Sequence, residues 1–165
     1  MKNFAAKVGV AVLAAAAAWG VLALLMASRA AQGAVMVSPA ARFQWVDVYV
    51  TTDGWSLGAW QAEVAVAAGG GTAKLAGVEG GEGAFTEAPE YDAAALSGGR
   101  IILGGMTTAA GAPGRVRVAR LHVMVEGDAA ARFEATLTAA GDSTGSRRTA
   151  EVSLVPGSIG TDESK

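Results

Sequence analysis

Residues 43–50 read FQWVDVYV, and this stretch decides the fold. It is dense in β-branched and aromatic side chains, which favour the pleated, half-buried surface of a strand. The TTDG that follows at residues 51–54 is typical of a turn, because aspartate and glycine tolerate the backbone angles that turns require. We therefore predict that a folded domain begins at Phe43 with a β-strand that ends at this turn.

Apolar and polar side chains alternate in several later segments as well, which is the period of a strand with one buried face. Residues 59–66 place Trp60 and Val64 on one face, and residues 115–126 alternate with a phase slip at Ala119 that indicates a β-bulge. Residues 100–103, between two pairs of glycines, read as a strand buried on both faces.

The last two alternating segments, residues 132–138 and 150–154, flank the turn-like sequence AGDSTGS and predict a hairpin. Between residues 67 and 98 the chain is rich in glycine, which predicts short strands and long loops. Because no amphipathic helix follows the first thirty residues, we predict an antiparallel β-sandwich over residues 43–157. Residues 158–165 are polar and predict a flexible tail.

The N-terminal segment has the composition of an export signal. Lys2 and Lys7 precede an uncharged run over residues 8–27, long enough to cross a bilayer as a hydrophobic helix. Residues 1–33 are therefore expected to be either a cleaved signal peptide or a retained signal anchor. Residues 34–42 then form a spacer, and the domain is extracytoplasmic, being either secreted or anchored in the membrane by residues 8–27.

Composition excludes several classes of function. The chain has no cysteine, so thiol catalysis, disulfides and cysteine-ligated metals are excluded. Of its 13 basic side chains, three (Lys2, Lys7 and Arg29) lie in the leader, which leaves 10 basic against 15 acidic side chains and a net charge of −5. This acidic balance argues against nucleic acid as a partner.

Four pieces of the sequence resemble the cohesin-type domains of bacterial extracellular proteins. They are WVDVYV at residues 45–50, GAWQAEVAV at 58–66, GGRIILGG at 98–105, and VARLHVMVEG at 118–127 followed by ARFEATLTAAGD at 131–142. The resemblance covers roughly residues 45–156 and implies a jelly-roll β-sandwich related to certain carbohydrate-binding modules. It also implies a non-catalytic module that binds a dockerin-like or other envelope protein.

Five side chains are candidates for binding. Trp55 and Tyr91 would stack on sugar rings or anchor a protein if they were exposed, and core packing is the alternative for each. Arg115, Arg117 and Arg120 alternate along one strand, so we expect them on its solvent face, where they would form either an interaction surface or merely a soluble one.

No catalytic or metal site is predicted. His122 is the single histidine and lies at an outward strand position, without the partners that general-base catalysis or zinc requires. Five carboxylates crowd residues 79–92, where a solvated loop is favoured over calcium binding and the calcium question stays open. Asp142-Ser143-Thr144-Gly145 resembles half a calcium motif, although a turn explains it more simply.

From the sequence we thus expect an exported binding module without cofactor that recognises a protein partner. The alternative is polysaccharide binding through exposed aromatic side chains, and a hydrolase using the acidic loop ranks third. A row of exposed Trp or Tyr side chains would favour a sugar, whereas a flat face without one would favour a protein.

Overall fold

A computed structural model describes residues 41–109, 111, 113–127 and 130–158. These residues form an all-β, antiparallel fold, which confirms the predicted class. Two short 3-10 turns, Gly83–Phe85 and Ala93–Ala95, interrupt the strands. The strands are β1 (Arg42–Ala68), β2 (Thr72–Gly80), β3 (Glu90–Tyr91), β4 (Arg100–Met106), β5 (Pro113–Glu126), β6 (Ala131–Asp142) and β7 (Ala150–Ser158).

Strand β1 is 27 residues long and organises the whole fold. Its N-terminal half pairs with β5 on one side and β7 on the other, and its C-terminal half pairs with β4 and β6. β2 extends the pairing beyond β5, and β3 extends it beyond β4. The first strand group is therefore β2-β5-β1-β7, the second is β3-β4-β1-β6, and β1 is common to both.

The two halves of β1 meet at a bend between Thr51 and Ser56, where its pairing with β5 is interrupted. Gly54 has φ +73°, a left-handed conformation that glycine adopts without strain. The buried Thr52 fixes the bend, since its hydroxyl donates to Trp55 O at 2.6 Å and accepts from the Gly114 N–H at 2.9 Å. The prediction that the strand ends at residues 51–54 was wrong, because β1 continues through this bend. Only its paired strands change there, from β5 and β7 to β4 and β6.

The core lies on the inward faces of both strand groups. In β1 the predicted alternation over residues 60–66 is confirmed, because Trp60, Ala62, Val64 and Val66 are all buried. They belong to one hydrophobic cluster with the inward side chains of the first strand group. The largest fully buried members are Val46, Val48, Val50, Leu57, Val64, Leu75, Ile101, Leu103, Val118, Leu121, Val123 and Val125.

The predicted bulge in β5 is confirmed. Val48 of β1 faces Ala119, whereas the next residue, Tyr49, faces Arg117, so Val118 is the extra residue. Val118 and Ala119 are both buried. The bulge therefore keeps the arginines on either side of it on the same outer face.

Two other strand predictions are corrected by the structure. The strand over residues 100–103 is not buried on both faces, because Ile102 is 49% exposed between the buried Ile101 and Leu103. β6 and β7 do not form a hairpin, because β6 pairs with the second half of β1 and β7 with the first half. The segment that connects them is joined to β6 by an isolated bridge between Gly141 and Arg147.

The predicted leader (residues 1–33), most of the spacer (34–42) and most of the tail (158–165) lie outside the described residues.

Candidate functional site

The outer face of the first strand group carries a cluster of arginine and aromatic side chains. In β1 the outward positions alternate with the buried Val46, Val48 and Val50, and pairing sets Asp47 opposite Arg120 and Tyr49 opposite Arg117. We call this surface the arginine–aromatic face. Its members are Trp45, Asp47, Tyr49, Arg115, Arg117 and Arg120.

Asp47 lies at the centre of this face and is only 4% exposed. Arg120 donates to both of its carboxylate oxygens, from Nε to Oδ1 at 2.7 Å and from Nη2 to Oδ2 at 3.0 Å. Nη1 of Arg117 lies 3.6 Å from Oδ2. The hydrogen bond that Arg120 donates to the Asp47 carboxylate raises the pKa of Arg120 above its usual value. One carboxylate thus holds two guanidinium groups in fixed positions.

Two guanidinium groups also stack on aromatic rings. Cζ of Arg120 lies 4.1 Å from the centre of the Trp45 ring, and Cζ of Arg115 lies 3.6 Å from the centre of the Tyr49 ring. Both distances are within the range of cation–π attraction. Because Arg115 is exposed, the outer surface of its guanidinium group is available to a partner.

Gly157 of β7 explains how Trp45 lies flat on the sheet. The two residues are paired across β1 and β7, and a Cβ atom at Gly157 would come within 2.1 Å of Trp45 Cζ2. A side chain at this position would therefore displace the indole ring. Trp45 contacts Gly157 on one side and the Arg120 guanidinium on the other.

Further side chains border this face. His122 Nε2 lies 2.9 Å from Glu79 Oε1 on β2, in accord with the outward position predicted for His122. Phe43, on the same face of β1, is 50% exposed, and Val155 of β7 is also exposed. The face therefore combines charged, aromatic and apolar surface on a sheet.

The structure brings together three of the five predicted binding residues. Arg115, Arg117 and Arg120 lie side by side on β5, as their alternation predicted. Trp55 lies at the bend of β1 and Tyr91 lies in β3 of the second strand group. Both rings are half-buried against the hydrophobic cluster, so neither belongs to the arginine–aromatic face.

Sequence reasoning missed the role of Asp47 and chose Trp55 and Tyr91, not Trp45, as the aromatic candidates for binding. The alternation in residues 43–50 does place Trp45, Asp47 and Tyr49 on one face, which was the available signal. It gives no register with β5, so the contacts with the arginines could not be derived from it.

The loop after β6 is a self-contained turn. Oδ1 of Asp142 accepts from the Thr144 N–H at 3.0 Å and from the Thr144 hydroxyl at 2.6 Å, and Oδ2 accepts from Arg148 Nε at 2.9 Å. These bonds lower the pKa of Asp142 from 3.8 to about 2. The turn accounts for this carboxylate, and the described residues contain no group of three or more His, Asp or Glu side chains placed to hold a metal ion.

Comparison with known proteins gave no relative: no family model, no curated protein and no solved structure matches this chain. Within the described residues, no helix has the length and apolar character needed to span a membrane.

Proposed function

We propose that this chain is a non-catalytic binding module that recognises a protein partner through the arginine–aromatic face. The observation that carries the proposal is the Arg115 guanidinium group, stacked on Tyr49 and exposed on its outer side. None of the carboxylates described lies within ion-pair distance of Arg115. A carboxylate of a partner would therefore meet a guanidinium that is already oriented.

The composition of this face favours a protein partner. Tryptophan, tyrosine and arginine are the residue types that contribute most to protein–protein binding energy. Exposed Phe43 supplies apolar area beside them. Such a mixture of apolar, aromatic and guanidinium groups is typical of interface centres.

Preorganisation is the second argument. An arginine side chain loses considerable rotamer entropy when it is immobilised on binding. Asp47 holds Arg120 with two hydrogen bonds, and the rings of Trp45 and Tyr49 support two of the guanidinium groups. Much of this rotamer entropy is therefore already lost in the unbound protein, so binding a partner removes less of it.

Polysaccharide binding through exposed aromatic rings is the alternative function. A sugar stacks on an open aromatic face, but the rings of Trp45 and Tyr49 each carry a guanidinium group. Trp55, at the bend of β1, and Tyr91, in β3, are half-buried against the core. These placements favour the protein partner over the sugar.

The proposal extends to architecture and location. We infer that residues 43–157 form a β-sandwich of the jelly-roll type, supported by two strand groups that share β1 and enclose one hydrophobic cluster. We also infer that the domain is extracytoplasmic and that its partner, dockerin-like or not, is an envelope protein. That inference is supported by the uncharged run over residues 8–27 behind Lys2 and Lys7, and by the resemblance to cohesin-type domains.

The test is capture of envelope proteins by the immobilised full chain, compared with the variants Arg115→Ala and Tyr49→Ala. Arg132→Ala is the matched control, because Arg132 is an exposed arginine on β6 in the second strand group. We expect the wild-type chain and the Arg132→Ala variant to retain a saturable partner that the other two variants lose.

A partner retained equally by all four proteins would refute a role for the arginine–aromatic face. A glycan screen run on the same proteins and on Trp55→Ala and Tyr91→Ala tests the alternative. Glycan binding that is lost in Trp55→Ala or Tyr91→Ala and kept in Arg115→Ala would replace the protein-binding proposal with a carbohydrate-binding one.

A further inference from the structure

The outer face of the first strand group differs in charge on the two sides of β1. Arg115, Arg117 and Arg120 all lie on β5, which pairs with one side of β1. β7 pairs with the other side, contains no basic residue and presents Glu151. The face is therefore basic along most of β5 and acidic or neutral along β7.

Arg115 and Glu151 lie level with each other on this face. Strand pairing sets Thr51 opposite Arg115 on one side and opposite Glu151 on the other. Residues directly opposite each other project from the same face of a sheet, so both side chains point outward, about 10 Å apart across two strand spacings. Both are exposed, and no oppositely charged group among the described residues lies within ion-pair distance of either.

A cation and an anion placed in this way on either side of β1 make the face complementary to itself. In a twofold dimer, a residue that contacts a second residue of the other copy is matched by the reverse contact. A twofold axis parallel to β1 and above Thr51 would lay β5 of each copy over β7 of the other. Arg115 of each copy would then face Glu151 of the other, forming two equivalent ion pairs.

The rest of the face fits the same axis. Val155 and Arg120 both lie opposite Asp47, so the apolar Val155 of one copy would meet the stem of Arg120 of the other. Phe43, on β1 and 50% exposed, would lie near its counterpart. An axis across the strands would instead set β5 against β5 and the arginines against one another, and like charges across an interface disfavour binding.

We propose that the partner of the arginine–aromatic face is a second copy of this chain, and that the twofold dimer is held by two ion pairs between Arg115 and Glu151. This inference rests on the proposed function, because it names the protein that the same face recognises. Sheets that pack face to face lie about 10 Å apart with their strands nearly aligned, which the extended side chains of arginine and glutamate can bridge.

The test measures the dimer dissociation constant of the full chain in detergent solution by sedimentation velocity. Arg115→Glu sets two acidic side chains against each other at both contacts, and Glu151→Arg sets two basic ones there. We expect the wild-type chain to form dimers, and each variant alone to bind itself at least about tenfold more weakly. Arg132→Glu and Glu134→Arg are the matched controls, because both residues are exposed on β6 in the second strand group, and each variant should dimerise as the wild type does.

An equimolar mixture of Arg115→Glu and Glu151→Arg is the decisive sample. Both contacts in a mixed dimer then join an acidic side chain of one variant to a basic side chain of the other. We expect the mixture to form heterodimers of near wild-type affinity, followed by a fluorescent label on one variant. A merely structural effect of either substitution would not be reversed by mixing.

A wild-type chain that stays monomeric would overturn the inference. Dimers that persist in both single variants, or a mixture that forms no heterodimers, would also overturn it. A monomeric chain that still captures a different envelope protein, lost in Arg115→Ala, would refute the second copy as partner and leave the proposed function standing. A chain that neither self-associates nor captures a protein would refute both.

Discussion

Arg120 donates two hydrogen bonds to the carboxylate of Asp47, from Nε at 2.7 Å and from Nη2 at 3.0 Å. Asp47 points outward from β1, yet it is buried beneath the arginines of β5. The pair therefore fixes the positions of side chains that would otherwise move freely on the surface of a sheet.

Replacing Asp47 by asparagine should lower the free energy of unfolding by about 2 kcal/mol, because the change leaves two guanidinium groups beside a neutral amide. Urea denaturation of the full chain measures it. Asp53→Asn, at an exposed position in the bend of β1, is the control and should change stability by less than about 0.5 kcal/mol. Equal changes in the free energy of unfolding for the two substitutions would show that Asp47 stabilises the fold no more than an exposed aspartate does.

Thr52→Val should lower the free energy of unfolding by about 1–2 kcal/mol, because the hydroxyl that satisfies Trp55 O and the Gly114 N–H is removed while the shape is kept. Thr52→Ser retains the hydroxyl and should lose clearly less. Thermal unfolding of both variants provides the comparison, and a serine variant as unstable as the valine variant would contradict a hydrogen-bonding role.

Gly157→Ala should displace the Trp45 ring, because the new Cβ would overlap Cζ2. We expect a loss of about 1–3 kcal/mol in the free energy of unfolding, as for other overpacked sites, together with a changed near-ultraviolet circular dichroism signal. Ser153→Ala, at a neighbouring exposed position on β7, should leave both unchanged. An unaltered tryptophan signal in Gly157→Ala would mean that the ring does not lie over Gly157.

Asp142 should make stability depend on pH under acidic conditions. Its pKa in the folded chain is about 2, below the ordinary value of 3.8, so its contribution is complete above that ordinary value and is lost as the pH falls towards 2. The Tm of the wild-type chain should therefore fall more steeply than that of Asp142→Asn between about pH 5 and pH 2. Parallel curves for the two proteins would contradict the shift.

The buried faces of the second half of β1 and of β5 could be predicted from alternation alone. Apolar side chains recur at every second position in both strands, and the structure buries Trp60 and Val64 of β1 and Leu121 and Val123 of β5. The phase slip at Ala119 indicated the β-bulge. These features depend on neighbouring residues in the chain, so the sequence contains them directly.

Pairing between distant strands could not be predicted in the same way. TTDG at residues 51–54 has the composition of a turn, but β1 continues through it, with the Gly114 N–H donating to the Thr52 hydroxyl and the paired strands changing there. The cluster around Asp47 depends on the register between β1 and β5, and a shift of two residues would leave the alternation intact and separate the pair. The arginines could therefore be proposed from the sequence, whereas their central carboxylate could not.

The central position of β1 has a consequence for the order in which the chain can fold during synthesis. Among the strands that the structure describes, β1 is made before the others, and its pairing with β7 cannot begin until residues 150–158 have been synthesised. Contacts between such distant segments form slowly, and a strand with open edges in the meantime is prone to pair with other chains. We therefore expect truncated chains that lack β7 to aggregate, and the nascent protein to depend on chaperones until β7 is complete.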